Sequence, residues 1–178
     1  KAYDPANLSG APVLTIGGTG SANGQFTKPT AVAISDAAGE IYVTDLPLTT
    51  VNGTPVNGAR IQVFDKASGA YKRSFGQFGT NAGQLTFPAD IAVDTAGRLY
   101  VVDNYQNAVL ILDPATGAPI TDPVTGAALA LYDTAHPLAT PLGVAIGKNN
   151  IAWVANYMGH SVDVYALDGY VTMDTAPA

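Results

Sequence analysis

One pattern occurs three times in this chain. KPTAVAISDAAGEIYVTD at 28–45 returns as FPADIAVDTAGRLYVVD at 87–103 and again as TPLGVAIGKNNIAWVAN at 140–156. Pro29, Pro88 and Pro141 anchor the copies. From each Pro to the polar residue that closes the unit, Asp45, Asp103 or Asn156, is 16, 15 and 15 residues. The extra residue of the first copy falls in its DAAG turn (36–39), where the second copy has TAG (95–97) and the third KNN (148–150). A hairpin loop absorbs one residue without disturbing its strands. Self-similarity at a fixed period implies stacked structural units. A generic β-sandwich of short strands offers no reason for Pro, turn and polar stop to recur at the same offsets.

Each copy continues with a third apolar segment, ARIQVFD (59–65), AVLILD (108–113) or SVDVYALD (161–168), and then a turn at Gly69, Gly117 or Gly169. A fourth segment follows: YKRSFG (71–76), ALALYD (128–133) and YVTM (170–173). All are short, β-branched or aromatic, and bounded by turn residues, so each copy predicts a four-stranded antiparallel meander, the blade of a β-propeller. With 19 Gly, 12 Pro and only Glu40 as Glu among 14 acidic residues, the composition is rich in turn formers and poor in helix formers. PVLTIGG (12–18) aligns with YKRSFGQ (71–77), and so predicts one more fourth strand ahead of the first blade, without its three inner strands.

The connector into the blades repeats as well: GGTGSANGQFTKP (17–29) matches GQFGTNAGQLTFP (76–88), with Gly17 and Gly24 against Gly76 and Gly83. Phe26 and Leu85 precede the anchoring Pro at the same offset and are expected to plug the junctions between blades. GQF-x-x-P, an apolar run, a turn Gly, YV-x-D and a strand such as RIQVFD resemble the pattern of NHL-repeat β-propellers, over about residues 12–173. The resemblance implies an all-β propeller of NHL type with about three four-stranded blades in this chain, an incomplete ring. Blades are expected at about 28–76, 87–133 and 140–173, after an N-terminal extension (1–11) and before a tail (174–178). Three wedge-shaped blades leave two broad faces uncovered, which implies further blades from a second copy, another subunit or the rest of a longer product.

Composition limits the functions. Eight basic against 14 acidic residues, net −6, argue against nucleic acid as a partner. The absence of cysteine excludes disulfides, thiolate zinc sites and CxxCH haem attachment. No stretch approaches the roughly 20 apolar residues that span a bilayer. A start at Lys1 suits a processed secreted protein or a fragment, and two DP-x-TG turns in 113–128 resemble decorations of bacterial surface proteins, so a secreted or cell-surface location is expected. Two N-x-S/T sequons, at Asn7 and Asn52, matter only if the source glycosylates Asn.

Function is sought in what differs between copies. LPLTTVNGTPVNGA (46–59) is ten residues longer than the equivalent turn of the second blade and reads as a protruding hairpin with Asn-Gly turns. Leu48, Thr50, Asn52, Pro55, Asn57 and Arg60 are therefore candidate partner-binding residues. Asn104 and Tyr105 in the second blade's turn, and Tyr157 and His160 in the third's, join them. The resemblance puts His160 at the family's His position, as a loop hydrogen-bonder. Asp90 reads as a solvated or turn-capping residue, because Ala31 and Gly143 at the equivalent positions give a Ca²⁺ ion no partner acid. No nucleophile with a base in reach is evident, His136 being fixed before Pro137. No cofactor or metal is expected. The expected function is a non-catalytic binding and assembly module whose partner is another protein, or a homo-oligomer completing the propeller, engaged through a propeller face with loops 46–59 and 113–128. The alternatives are a structural subunit of an extracellular filament or surface layer, and a metal-dependent lyase of the peptide-amidating NHL type, although that subfamily's Arg and Tyr constellation is not found.

Overall fold

Every blade begins with the same irregularity. The computed structural model of the protein describes residues 12–51, 54–131, 137–147 and 149–167. In it the first blade comprises β1 (Pro29–Ser35), β2 (Glu40–Asp45), β5 (Arg60–Asp65) and β6 (Tyr71–Phe75), with β3 (Leu48–Val51) and β4 (Thr54–Asn57) forming a separate hairpin inserted between β2 and β5. The second comprises β7 (Pro88–Val93), β8 (Leu99–Asp103), β9 (Ala108–Leu112) and β10 (Ala130–Leu131). The third comprises β11 (Pro141–Ile146), β12 (Ile151–Asn156) and β13 (Ser161–Ala166). The register slips just after Pro29, Pro88 and Pro141, so Pro29 faces Asp45, Pro88 faces Asp103 and Pro141 faces Asn156, each followed by a bulge. A Pro at the first strand position has no N–H to give to the ladder, and a bulge there restores pairing for the rest of the strand.

These are antiparallel meanders, and no helix occurs among the described residues. The innermost strands β1, β7 and β11 stand side by side, which is the arrangement of propeller blades around an axis. Each blade therefore has two faces, set by the two-residue period of its strands. One face of blade 1 (Ala33, Tyr42, Ile61, Val63) packs on one face of blade 2 (Ile91, Leu99, Val101, Leu112), with Leu85 between them. The other face of blade 2 (Tyr100, Val102, Val109, Ile111) packs on blade 3 (Val144, Ala152, Val154). The packing is supplemented by bonds between inner strands: the Thr30 hydroxyl donates to the Pro88 carbonyl at 2.6 Å, and Val144 N–H donates to Asp90 Oδ2 at 2.8 Å.

Three expectations are adjusted. Residues 12–18 do not form a strand; Leu14 makes only an isolated bridge, yet Leu14 and Ile16 lie against Gly69 of blade 1 as Phe75 lies against Gly117 of blade 2. The segment thus lies where a preceding blade's outer strand would, and among the described residues no strand is paired along it. The fourth strand of blade 2 starts at Ala130 rather than at 128, because 113–128 folds back on β9: Pro119 bridges Leu112, and Thr121 bridges Ala128; residues 132 and 133 lie outside the described residues. The segment expected as blade 3's fourth strand, 170–173, lies outside the described residues.

Candidate partner-binding surface

In a meander, successive connections alternate between the two ends of the blade. The connections β2–β5, β8–β9 and β12–β13, together with the connectors between blades, lie at one end; the tight turns after β1, β7 and β11 and the loops 66–70 and 113–128 lie at the other. Loops 46–59 and 113–128 therefore sit at opposite ends of the propeller and cannot share one surface, which corrects the expectation that a single partner uses both.

At the first end the polar stop of each blade ties down the incoming connector. Asp45, fully buried, accepts from the N–H groups of Thr27 and Lys28 at 3.0 and 2.9 Å on Oδ1, and from Arg60 Nε and Nη2 at 3.1 and 2.8 Å on Oδ2. Asp103, equally buried, accepts from Thr86 N–H at 2.6 Å and from Gln106 Nε2 at 3.0 Å. In blade 3 Asn156 Oδ1 accepts from Ala139 N–H at 2.7 Å. Buried carboxylates persist where several donors converge on them, and here most of the donors come from a connector about 17 residues upstream. The polar stop therefore anchors the incoming connector.

Arg60 belongs to that anchor. Besides Asp45, its guanidinium donates to the carbonyls of Ser21 and Gln25 at 2.8 Å each, and its side chain is only 12% exposed. Gln106 does the same work in blade 2, donating to Asp103 and to the Gln84 carbonyl. Both N–H-bearing forks of Arg60 are thus engaged within the fold, and Arg60 offers a partner little beyond its edge.

The remaining candidates divide by exposure. Tyr105 is 76% exposed, its ring tilted against Phe87 at 6.0 Å, and Tyr157 is 60% exposed beside Met158 at 56%. Asn104 donates from Nδ2 to the Pro141 carbonyl at 3.2 Å, linking the blade 2 turn to blade 3. Asn107 and His160 hold the same turn position, with φ +53° in both. Asn and His tolerate the left-handed region better than most non-glycine residues, so the turn explains the residue type at position 160. His160 also lines a shallow, open depression of about 400 Å³ with Leu142, Asn156, Tyr157 and Val162. Leu48, Thr50, Pro55 and Asn57 lie on the β3–β4 hairpin, where Leu48 pairs with Asn57 and Thr50 with Pro55; Asn52 lies outside the described residues, as does His136. Asp90, with Oδ1 on the Ile91 N–H at 2.9 Å and Oδ2 on Val144, is held by backbone donors.

The opposite end is built from turn-capping acids. Asp65, Asp113 and Asp122 cap D-x-x-S/T-G turns and are held below the usual carboxylate range, Asp65 by the Ser68 hydroxyl, Asp113 by the Thr116 hydroxyl and Asp122 by the Thr125 N–H. Beside them Glu40 takes a bidentate pair from Arg73 at 2.7 Å on each oxygen and an ion pair from Lys72 at 2.5 Å, and its carboxyl is pulled down to about 2, chiefly by Arg73. Burial pushes Tyr42, which donates to Glu40, up to about 12. Among the described residues no three His, Cys, Asp or Glu side chains are grouped as a metal site.

No protein-family model matches the chain. It is 29% identical over 146 residues to the E3 ubiquitin-protein ligase NHLRC1 of Homo sapiens, an alignment covering 79% of this chain and 33% of that protein. It is 39% identical over 78 residues to protein brain tumor of Drosophila melanogaster, covering 44% of this chain and 6% of that protein. Among solved structures, a gluconolactonase of Xanthomonas campestris superposes with a TM-score of 0.47 at 17% identity over 74% of this chain and 36% of that one, and a streptogramin B lyase with 0.46 at 16% over 83% and 42%. The chain thus spans a third or less of the length of these two sequence relatives.

Proposed function

We propose that this chain is a non-catalytic NHL-type propeller module, working outside the cell or at its surface, that binds another protein through the end of the ring carrying the β3–β4 hairpin and the turns at 104–107 and 157–160. The observation that carries it is a contrast within one end of the fold. The polar groups that recur there, on Asp45, Asp103, Asn156, Arg60 and Gln106, are spent on the connectors, while the residues that vary between copies, Tyr105 and Tyr157, stand out in solvent. Exposed aromatics beside an inserted hairpin on a rigid scaffold are what a protein interface draws its energy from. The similarity to part of a ubiquitin-protein ligase supports a protein as the class of partner.

The test compares three chains as bait for cross-linking and mass spectrometry: the unaltered chain, Tyr105→Ala, and a chain with 48–57 replaced by a short Gly-Ser turn. A protein captured by the first and lost from both variants, with far-UV circular dichroism unchanged, supports the reading. A partner retained by both variants would place binding elsewhere, and one equivalent of transition metal in the purified chain would instead revive the lyase alternative.

A further inference from the structure

The two outer faces of the three-blade stack are the two halves of its own internal interface. On blade 1, Val32 and Ile34 are 60% and 54% exposed, with Ile41 and Val43 behind them. The equivalent residues of blade 2, Ile91, Val93, Leu99 and Val101, are the ones packed against blade 1. On blade 3, Trp153, Val162 and Val164 are 38%, 63% and 58% exposed. Their equivalents are fully covered in both other blades: Tyr42, Ile61 and Val63 in blade 1 at 1%, 0% and 0%, and Tyr100, Val109 and Ile111 in blade 2 at 1%, 0% and 3%. An apolar position buried twice and exposed once, at the same offset, belongs to a surface shaped for the same neighbour.

A second relation concerns 12–18. Leu14 and Ile16 lie over Gly69 as the outer strand of a preceding blade would, and they border an apolar groove of about 540 Å³ with Phe26, Val32, Ile34, Ile41 and Val43. That groove is where the inner strands of such a blade would sit. Blade 3 of a second copy has such inner strands, β11, β12 and β13. What one end of the stack lacks, the other end has.

We propose that two copies of this chain close head to tail into a six-bladed ring, blade 3 of each copy packing on blade 1 of the other, with residues 12–18 of each lying at the junction. A second copy is the occupant that the internal interface specifies, since it brings the matching face at both junctions and leaves no outer face uncovered. Six blades fall within the range of about four to eight at which propellers close. A head-to-tail contact that failed to close would grow into a filament instead. The inference goes beyond the protein-binding reading: it uses the sides of the end blades, whereas partner binding is assigned to the end of the ring.

Sedimentation equilibrium on the 178-residue chain at micromolar concentration tests it. The expected mass is twice 18.2 kDa. Val32→Asp and Val164→Asp each put a carboxylate into both junctions and are expected to raise the dimer Kd by about 100-fold or more. Mixed together, the two variants can form a pair with one unaltered junction, so the mixture is expected to recover dimer that neither forms alone; this recovery also shows that both variants are folded. Removal of 1–18 is expected to weaken the dimer. A wild-type mass of 18.2 kDa, a polymer larger than two, or a dimer indifferent to both substitutions would each overturn the proposal. Tyr105→Ala leaves this mass unchanged, so loss of partner binding and loss of ring closure are told apart.

Discussion

Asp90 of β7 reaches across to β11 and accepts the N–H of Val144 at 2.8 Å, passing over Gly143, where a Cβ would stand 3.5 Å from its Oδ2. The bond joins two inner strands that share no ladder, and it places a carboxylate where the equivalent residues of blades 1 and 3 are Ala31 and Gly143. Asp90→Ala removes the acceptor and leaves a partly buried N–H without its partner, at a cost of about 1–3 kcal/mol. Asp90→Asn keeps an oxygen for Val144 and is expected to lose less than half of that. Urea denaturation reads the difference, and faster amide exchange at Val144 in Asp90→Ala would locate it at this junction. Equal losses for the two variants would mean that charge, rather than the bond, holds the strands.

The Asp45–Arg60 pair supports a sharper contrast. Asp45 is fully buried and saturated by two backbone N–H groups and a guanidinium. Asp45→Ala frees the 17–28 connector and strands Arg60, and is expected to cost about 3–5 kcal/mol, as for other buried pairs broken on one side. Arg60→Gln places in blade 1 the amide that Gln106 supplies in blade 2, and is expected to cost about 1–2 kcal/mol. Thermal unfolding of the two variants decides whether the pair or the backbone contacts dominate; a smaller loss for Asp45→Ala than for Arg60→Gln would refute the anchoring role.

Leu85 and Phe26 occupy equivalent positions with different surroundings. Leu85 is 0% exposed between blades 1 and 2, whereas Phe26 is only partly buried, its ring 5.5 Å from Phe64 on the outer face of blade 1. Leu85→Ala is expected to cost about 2–4 kcal/mol. Phe26→Ala costs less in the isolated chain, because less of its surface leaves water on folding. The order of the two midpoints in urea checks this, and a larger loss at Phe26 would show that its face is already covered in solution.

The blades could be read from the chain because their determinants are local. Pro, turn and polar stop recur at fixed offsets, and the turn rule extends even to Asn150, which takes φ +58° where Gly39 and Gly97 take +64° and +87°. The meaning of the polar stop was hidden, since Asp45 bonds backbone N–H groups that any residues at 27 and 28 would present. Segment 12–18 matched a fourth strand in side chains, but a ladder needs a neighbour, and among the described residues no strand lies beside it. The opposite placement of loops 46–59 and 113–128 follows from counting connections along a meander, a step that loop length alone does not prompt. Uncovered end faces followed from the count of three blades, but which side chains form them did not, since the positions of Trp153, Val162 and Val164 are core in blades 1 and 2.

Glu40 gives the pH dependence. Arg73 above all, with Lys72 and Tyr42, draws its carboxyl from 4.5 down to about 2, against the opposing effect of burial. The unfolded chain therefore binds more protons than the folded one between those values, so stability rises with pH through the window, is fully present above about 4.5, and is lost as pH falls toward 2. Lys72 and Arg73 are 40% and 29% exposed, and with solvent screening allowed for, the contribution is on the order of 2 kcal/mol. The capping acids Asp65, Asp113 and Asp122 are also held below their ordinary values and act with the same sign, so the unaltered chain alone does not isolate Glu40. Glu40→Gln does. It keeps an acceptor for Tyr42 and Arg73, and unfolding free energies measured at pH 6 and pH 3 are expected to differ by about 1 kcal/mol less in the variant than in the unaltered chain. Parallel pH profiles for the two would show that Glu40 titrates alike in the folded and unfolded states, and that the Arg73 pair does not hold in solution.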